Sequence, residues 1–119
     1  MKKKIICFDI DNTICRSYKN NYKNSKPLIK NIKTINLLFD KGYYIKIFTS
    51  RFMGRSNENY YLAKKRGYDF TKKQLLGWGL KYNKLIFGKP SFDLFIDDKN
   101  LSYTKEWPEI LKKKLKLKK

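Results

Sequence analysis

The stretch that decides the fold is CFDIDNTIC, residues 7–15. It overlaps Lys4–Ile10, whose nearly continuous apolar character predicts a central parallel strand that is buried on both faces. Asp9 and Asp11 lie at the end of this strand, where a carboxylate is costly unless it is paired or binds a metal. Residues two apart on a strand face the same side, so we expect both carboxylates to point into one pocket.

Strands and helices alternate along the rest of the chain. Three further apolar segments predict strands: YYIKIFT (43–49), KLIFG (84–88) and FDLFID (92–97). The helical spacing of apolar residues predicts a helix from Leu28 to Phe39, which Gly42 ends. We also predict helices over 57–66, stopped by Gly67, over 71–82 with TKKQ as a capping box, and around Pro108, with loops at 16–27 and 51–56.

This alternation predicts an α/β fold in which residues 1–119 form one domain. Helices on both faces of a central parallel sheet give a three-layer, Rossmann-like arrangement. Functional sites in such folds lie at the carboxyl ends of the strands. Polar residues occur at these predicted strand ends or just after them, namely Asp9, Asp11, Thr49, Ser50, Lys89 and Asp97.

The composition excludes several kinds of site. The chain contains no histidine, which rules out Ser-His-Asp and Cys-His catalysis and metals bound by histidine. Cys7 and Cys15 are too few for a zinc site or a disulfide framework, and we expect Cys7 to be a buried thiol in a reducing, cytoplasmic setting. No apolar run is long enough to span a membrane.

The net charge of +19 is the most unusual bulk property of the chain. A charge of this size favours a polyanionic partner, either nucleic acid or an anionic membrane. Lysine, asparagine and isoleucine are all abundant, however, and the lysines are spread along the chain. The composition bias of an AT-rich genome is therefore the simpler interpretation, and no nucleic-acid-binding motif occurs.

Aspartates at two predicted strand ends suggest a metal site. Asp97 and Asp98 can converge with Asp9 and Asp11 at one edge of the sheet. Clustered carboxylates repel each other unless a cation lies between them, and with oxygen ligands alone the natural cation is Mg²⁺. Neither DIDNT nor DD alone indicates a metal site, because acidic turns are common. The interpretation rests instead on the order of four motifs, each at a predicted strand end.

That order, FDIDNT, IFTS, GKP and FIDD, resembles the four motifs of the haloacid dehalogenase-like phosphohydrolases. The match runs from Ile5 to about Lys99. More narrowly, GYYIKIFTSRFMGR, QLLGWGLKYNKLIFGKPSFDLFIDDK and the absence of a cap domain resemble the capsule-biosynthesis phosphatases of bacteria. The resemblance implies a capless haloacid dehalogenase-like fold and a phosphomonoester hydrolase.

The resemblance also implies a role for each motif residue. Asp9 would be the nucleophile that forms an aspartyl phosphate. Asp11 would act as general acid and then as base, and we expect like charges nearby to favour its neutral form. Lys89 would steady Asp9, and the phosphoryl group would contact Thr49, Ser50 and Lys89. The Mg²⁺ ligands would be Asp9, Asp11 through its backbone carbonyl, Asp97 and Asp98.

The substrate is less well specified by the sequence. Without a cap, either the substrate is bulky or a second subunit closes the site in a homo-oligomer. Five loop residues are candidate substrate contacts, although solvated loop residues are the ordinary interpretation for all but the first: Arg51, Arg55, Arg16, Tyr18 and Tyr22.

Three functions stay open at this point. The leading one is a phosphatase acting on a small phosphorylated metabolite, such as a sugar phosphate precursor of capsular or surface polysaccharide. The second is a polynucleotide end phosphatase, which the basic charge favours. The third is a basic, non-catalytic protein that binds nucleic acid, which is disfavoured because every residue needed for turnover is present.

Overall fold

The computed structural model describes residues 4–117, and a parallel sheet of three strands forms its centre. Strands β1 (Ile5–Phe8), β4 (Tyr44–Thr49) and β5 (Lys84–Phe87) lie side by side in that order, and a separate antiparallel ribbon joins β2 (Cys15–Arg16) and β3 (Lys26–Pro27). The α/β prediction is thus confirmed for the described residues. In chain order the elements are β1 (Ile5–Phe8), β2 (Cys15–Arg16), β3 (Lys26–Pro27), α1 (Ile29–Asp40), β4 (Tyr44–Thr49), α2 (Tyr60–Gly77), β5 (Lys84–Phe87) and α3 (Trp107–Lys114).

The core forms where apolar faces of the helices meet β4 and β5. The predicted helix after Leu28 is confirmed as α1, which buries Ile32, Ile35 and Leu38. The chain turns after it at Gly42, whose positive φ of 94° suits glycine. From β4, the side chains of Ile45 and Ile47 are fully buried. None of the helices in residues 4–117 is both long and apolar enough to cross a membrane.

Two predicted helices are in fact one. Helix α2 runs without a break through Gly67 and Thr71, so the predicted stop at Gly67 and the capping box at 71–74 are wrong. The helix begins instead after Asn59, whose side chain accepts a hydrogen bond from the backbone N–H of Leu62 at 3.1 Å. Gly67 fits the helix interior because the ring of Phe52 packs directly against its Cα.

The predicted strand at 92–97 is absent from the described structure. All residues of 90–100 are exposed, including the apolar side chains of Leu94 and Ile96. In the described sheet β1 is an edge strand, Ile5 is 57% exposed, and Cys7 is exposed. The predictions that this strand is buried on both faces and that Cys7 is a buried thiol are therefore also wrong. An apolar pattern predicts burial but does not by itself supply a neighbouring backbone to pair with.

The segment 16–27, predicted as a loop, contains short regular structure. Arg16 pairs with Lys26 in the β2–β3 ribbon, and residues Tyr22–Asn24 form a 3₁₀ turn. The ribbon is too short to show an alternating apolar pattern, which explains why the sequence did not indicate it. It matters for function because it holds the segment 17–25 beside the carboxyl end of β1.

The C-terminal helix agrees with its sequence signals. Pro108 lies in the first turn of α3, and the last turn contains Lys112, Lys113 and Lys114. Trp107 is 4% exposed and packs on Phe8 with ring centroids 5.5 Å apart. This tryptophan therefore belongs to the core, and Trp78 packs partly buried against the same core.

Candidate active site

Asp9 and Lys89 come together at the carboxyl edge of the sheet. Asp9 directly follows β1, and the Lys89 Nζ lies 3.8 Å from its Oδ1. Burial raises the pKa of the Asp9 carboxyl above its ordinary value, and the Lys89 ammonium opposes only part of that increase. The carboxylate and the ammonium thus form a partly desolvated pair at a strand end.

The position of Lys89 depends on its neighbours in the chain. The backbone N–H of Lys89 donates to the carbonyl of Thr49 at 3.1 Å, which ties the segment that follows β5 to the end of β4. Gly88 has a φ of 103°, and a Cβ there would lie 2.6 Å from Cδ1 of Tyr60, so only glycine fits. The Lys89 Nζ also lies over the rings of Phe92 and Phe95, at 5.3 and 5.0 Å from their centroids.

Asp11 is bound by a buried arginine. The Arg51 Nε donates to Oδ2 of Asp11 at 3.0 Å and its Nη2 donates to Oδ1 at 2.8 Å, a bidentate pair. The Arg51 side chain is 0% exposed. Ser17 adds a hydrogen bond from its Oγ to Oδ1 of Asp11. Within residues 4–117 the expected convergence of Asp97 and Asp98 with Asp9 and Asp11 is absent, and the charged group that contacts Asp11 directly is a cation.

Arg51 itself is held from several sides. Its Nη1 donates to the Oε1 of Gln74 at 2.6 Å, and its guanidinium lies 4.7 Å from the ring centroid of Tyr22. Gln74 in turn donates to the backbone carbonyl of Tyr22 at 2.8 Å. These contacts link α2, the 17–25 segment and the end of β4 into one network around Asp11.

Thr49 lies at the predicted strand end but is turned inward. Its side chain is 0% exposed, and its Oγ1 accepts the backbone N–H of Arg51 at 3.0 Å. The hydroxyl retains a hydrogen to donate, since accepting one bond does not use it. Ser50 is partly exposed, and its backbone carbonyl accepts the N–H of Met53, which begins the turn of the following loop.

The second pair of aspartates does not join the first. Asp97 and Asp98 lie on the exposed 90–100 segment. The backbone N–H of Lys99 donates to Oδ1 of Asp97 at 3.0 Å, and this bond lowers the pKa of the Asp97 carboxyl. Among residues 4–117, no three acidic or cysteine side chains are grouped as a metal site requires.

The candidate substrate contacts fall into two groups. Arg16 and Tyr18 are exposed, and Tyr18 contacts the neighbouring Lys19. Arg55 and Tyr22 lie together, because the Arg55 guanidinium stacks 5.3 Å from the Tyr22 centroid and its Nη2 donates to the carbonyl of Asn20 at 2.6 Å. Arg51, as described above, contacts Asp11 instead of the solvent.

Sequence reasoning missed Ser17 and Gln74. Both bind charged groups of the site, yet Ser17 lies in a polar segment and Gln74 in a sequence that predicts a helix cap. No local pattern distinguishes them, since each owes its role to residues far away in the chain.

The arrangement provides a partly exposed carboxylate with a cation beside it, and a second carboxylate two residues away. Asp9 is partly exposed, lies 3.8 Å from Lys89 and accepts a backbone hydrogen bond from Ile10, whereas Asp11 is paired with Arg51 and Ser17. The two carboxylates, expected to point into one pocket, thus have different partners. A carboxylate pair of this kind suits attack by one group and proton transfer by the other.

Comparison with known proteins supports the fold. No protein-family model matches the chain, and no curated protein matches it at a significant level. Among solved structures, a structural-genomics target from Vibrio cholerae has a TM-score of 0.77 at 22% identity, covering 97% of this chain and 99% of that chain. Identity this low shows the fold alone. The chain is thus a mixed α/β domain with a central parallel sheet, similar in architecture to the Vibrio protein.

Proposed function

We propose that this chain is a phosphomonoester hydrolase with a capless haloacid dehalogenase-like fold and with Asp9 as its nucleophile. The observation that carries the proposal is the 3.8 Å contact between Asp9 and Lys89, which come from separate motifs and meet at the carboxyl edge of the sheet. That edge is where α/β domains bind their ligands. The sequence resemblance supplies the reaction class, and the contact supports it.

In the proposed reaction the Asp9 carboxylate attacks phosphorus and displaces the alkoxide. An aspartyl phosphate forms, water hydrolyses it, and Asp9 is regenerated, so each turnover releases one alcohol and one inorganic phosphate. Lys89 would offset the negative charge that Asp9 and the phosphate bring together. The hydroxyl of Thr49 would reach the phosphoryl group only if the strand end opens, because the side chain is fully buried.

Asp11 would transfer the protons in both steps. Both oxygens of Asp11 accept hydrogen bonds from Arg51, an arrangement that suits the base that activates water in the second step. The acid role in the first step requires a proton on Asp11, so we propose that substrate binding weakens the contact to Arg51. The leaving alkoxide would then take its proton from Asp11.

A requirement for Mg²⁺ remains part of the proposal. The described carboxylates do not assemble a complete site, since Asp97 and Asp98 are exposed and apart from Asp9. The donor set contains only oxygen ligands, which a hard cation prefers. When bound, such a cation would neutralise charge on the phosphate; the residues proposed to hold it are Asp9, the Asp11 carbonyl, Asp97 and Asp98.

A second candidate function is a polynucleotide end phosphatase, which the net charge of +19 favours. Salt dependence separates the two. Binding of duplex DNA weakens with a log–log slope of about −0.9 per phosphate contacted, whereas one small phosphate ester is a single charged site. We propose a small metabolite, from the resemblance to capsule-biosynthesis enzymes, and we expect only modest salt dependence.

The test is phosphate release by the full chain across sugar phosphates, nucleotides and phosphorylated oligonucleotides, with Mg²⁺ at several salt concentrations. Asp9→Asn should abolish release, because an amide is not a nucleophile here, while Asp93→Asn on the exposed segment should not. Retained turnover in Asp9→Asn, or no turnover of any ester by the unaltered chain, would overturn the proposal. Fastest release from oligonucleotide ends would favour the second candidate.

A further inference from the structure

Two phenylalanine rings lie directly beside the contact between Asp9 and Lys89. The Lys89 Nζ lies 5.3 Å from the ring centroid of Phe92 and 5.0 Å from that of Phe95, and it lies 3.8 Å from Oδ1 of Asp9. Because these distances share the Nζ atom, neither ring centroid is farther than about 9 Å from that oxygen. We refer to Phe92 and Phe95 as the phenylalanine pair.

The pair forms one continuous apolar surface. Its ring centroids are 4.9 Å apart and its ring planes are tilted by 39°, which is within the range of favourable aromatic contacts. The chain just before the pair is also tied down, because the backbone N–H of Ser91 donates to Oε1 of Glu58 at 3.0 Å. Both rings are therefore held beside Lys89 although no strand includes them.

The two rings are only half covered. Phe92 is 47% exposed and Phe95 is 44% exposed, whereas the side chain of Lys89 between them and Asp9 is 13% exposed. The core phenylalanines Phe8 and Phe87 are buried in comparison. A ligand that covers the pair removes apolar surface from water, and this transfer favours binding.

Exposure alone does not mark the pair, since Leu94 and Ile96 of the same segment are more exposed. The pair differs from them because its rings lie on the ammonium group that is proposed to offset the phosphate charge. Aromatic faces are also well suited to packing against another ring. A ligand whose phosphate contacts Lys89 therefore has a ring-binding surface directly next to its anionic group.

The dimensions of a phosphomonoester fit this arrangement. Attack by Asp9 requires phosphorus to come within about 3–3.5 Å of the carboxylate oxygen. The alcohol is joined to phosphorus through a single oxygen, so a ring in the alcohol lies only a few bonds farther away. A phosphate at Asp9 and a ring at the pair can thus belong to one small molecule.

We infer that the phenylalanine pair binds the alcohol part of the substrate and selects phosphomonoesters whose alcohol is a ring. The phosphate would contact Lys89, and the apolar face of a sugar or aryl ring would pack on Phe92 and Phe95. An open-chain alcohol offers less surface to the pair and would bind more weakly. This inference rests on the proposed function for the placement of the phosphate at Asp9, but the binding preference it predicts does not require turnover.

The experiment compares two esters that differ in the presence of a ring, phenyl phosphate and methyl phosphate. Their dissociation constants are measured by NMR titration of full-length Asp9→Asn protein with Mg²⁺, because this substitution prevents the proposed hydrolysis. We expect phenyl phosphate to bind about tenfold more tightly, a ratio that matches the upper range for one aromatic contact.

Variants then assign the preference to the pair. Phe92→Ala and Phe95→Ala, each in the Asp9→Asn background, should reduce it to about twofold or less. Leu94→Ala removes an apolar side chain from between them in the sequence and should leave the preference unchanged. If an alanine variant does not fold, Phe92→Leu and Phe95→Leu carry the test, since they retain an apolar side chain and remove the aromatic face.

The ratio of the two dissociation constants is the decisive readout. Loss of a ring can also displace Lys89, but a displaced Lys89 would weaken the binding of both esters and leave their ratio unchanged. Equal binding of the two esters, a preference that survives in both folded phenylalanine variants, or the same loss in Leu94→Ala would overturn the inference.

Failure of the proposed function would look different. In that case the unaltered chain would hydrolyse neither ester, while the ring preference and its loss in the phenylalanine variants would persist.

Discussion

The guanidinium of Arg51, which is 0% exposed, forms two parallel hydrogen bonds with the carboxylate of Asp11, at 2.8 and 3.0 Å. These residues are 40 positions apart in the chain, and they join the turn after β1 to the loop after β4. A fully buried guanidinium is costly unless its donors are used, and Gln74 takes another of them. The pair therefore stabilises the candidate active site and restricts Asp11 at the same time.

Arg51→Met should lower the free energy of unfolding by about 3 kcal/mol, because it leaves Asp11 and Gln74 without their buried partner. Lys81→Met provides the control: it removes an ion pair with Asp40 in which both side chains are about half exposed, and it should cost less than about 1 kcal/mol. Urea denaturation at neutral pH measures both. Similar losses in the two variants would mean that the Arg51 contact contributes no more than a surface pair.

Asp9→Asn should make the folded protein more stable at neutral pH in the presence of a chelator. Burial raises the pKa of Asp9 in the folded state above its value in the unfolded chain. The protonated carboxyl therefore favours the folded state at low pH, and this stabilisation is lost as the pH rises through the folded-state pKa. Above that range the ionised carboxylate destabilises the fold, and the amide avoids this cost.

Denaturation curves across the acidic to neutral range measure this effect. The difference between Asp9→Asn and the unaltered chain should shrink towards low pH. Asp69→Asn, at an exposed residue of α2, is the control for the loss of one carboxylate. A destabilised Asp9→Asn protein at neutral pH would show that Lys89 outweighs burial.

Asp11→Asn should slow hydrolysis of an alkyl phosphate by roughly 10²–10⁴, the usual contribution of a general acid. The loss should be smaller for p-nitrophenyl phosphate, because its leaving group hardly needs a proton. Steady-state kinetics on the two esters gives the comparison. An equal loss on both would remove Asp11 from the acid role and leave it with the base role alone.

Chelation should abolish turnover, and Mg²⁺ should restore it. The expectation rests on an oxygen-only donor set at the strand ends and a chain without histidine. Mn²⁺ is expected to substitute and Ca²⁺ to inhibit, because the larger Ca²⁺ shell spoils in-line geometry.

Within the exposed segment, Asp97→Asn and Asp98→Asn should weaken activation by Mg²⁺, with Asp93→Asn as the matched control. The measurement is the Mg²⁺ concentration for half-maximal phosphate release. Full activity in chelator, or identical activation curves for all three variants, would exclude Asp97 and Asp98 as ligands.

Gly67→Ala should destabilise the protein, because its Cβ would overlap the ring of Phe52. Gly77→Ala, also in α2, meets nothing within 4 Å and should be neutral or stabilising by up to about 1 kcal/mol. Thermal melts compare the two. Phe52→Ala combined with Gly67→Ala should recover part of the loss, and the absence of any recovery would show that Phe52 is not the obstacle.

Local sequence patterns predicted the structure correctly where the contacts that determine it lie within one helix or strand. The apolar spacing of Ile32, Ile35 and Leu38 predicted α1, and Pro108 predicted the start of α3, because both signals arise from contacts within one or two helical turns. The placement of Asp9 at a strand end was likewise predictable from its own strand.

Patterns failed where a distant residue decides the outcome. Gly67 was predicted to end a helix, but it lies inside α2, where the ring of Phe52 occupies the space that a Cβ would need. The apolar stretch around Phe95 has the composition of a strand, but a strand also needs a partner backbone, and the described structure gives it none.

The sequence by itself determined the α/β class, the strand ends that carry Asp9 and Thr49, and the position of Lys89 after β5. Only the tertiary structure decided that Asp11 pairs with Arg51, that Gln74 supports the pair, and that Phe92 and Phe95 lie beside Lys89. The physical reason is that periodicity encodes which side of an element faces the core. Which side chains meet across elements depends on how the backbones pack, and no local pattern contains that information.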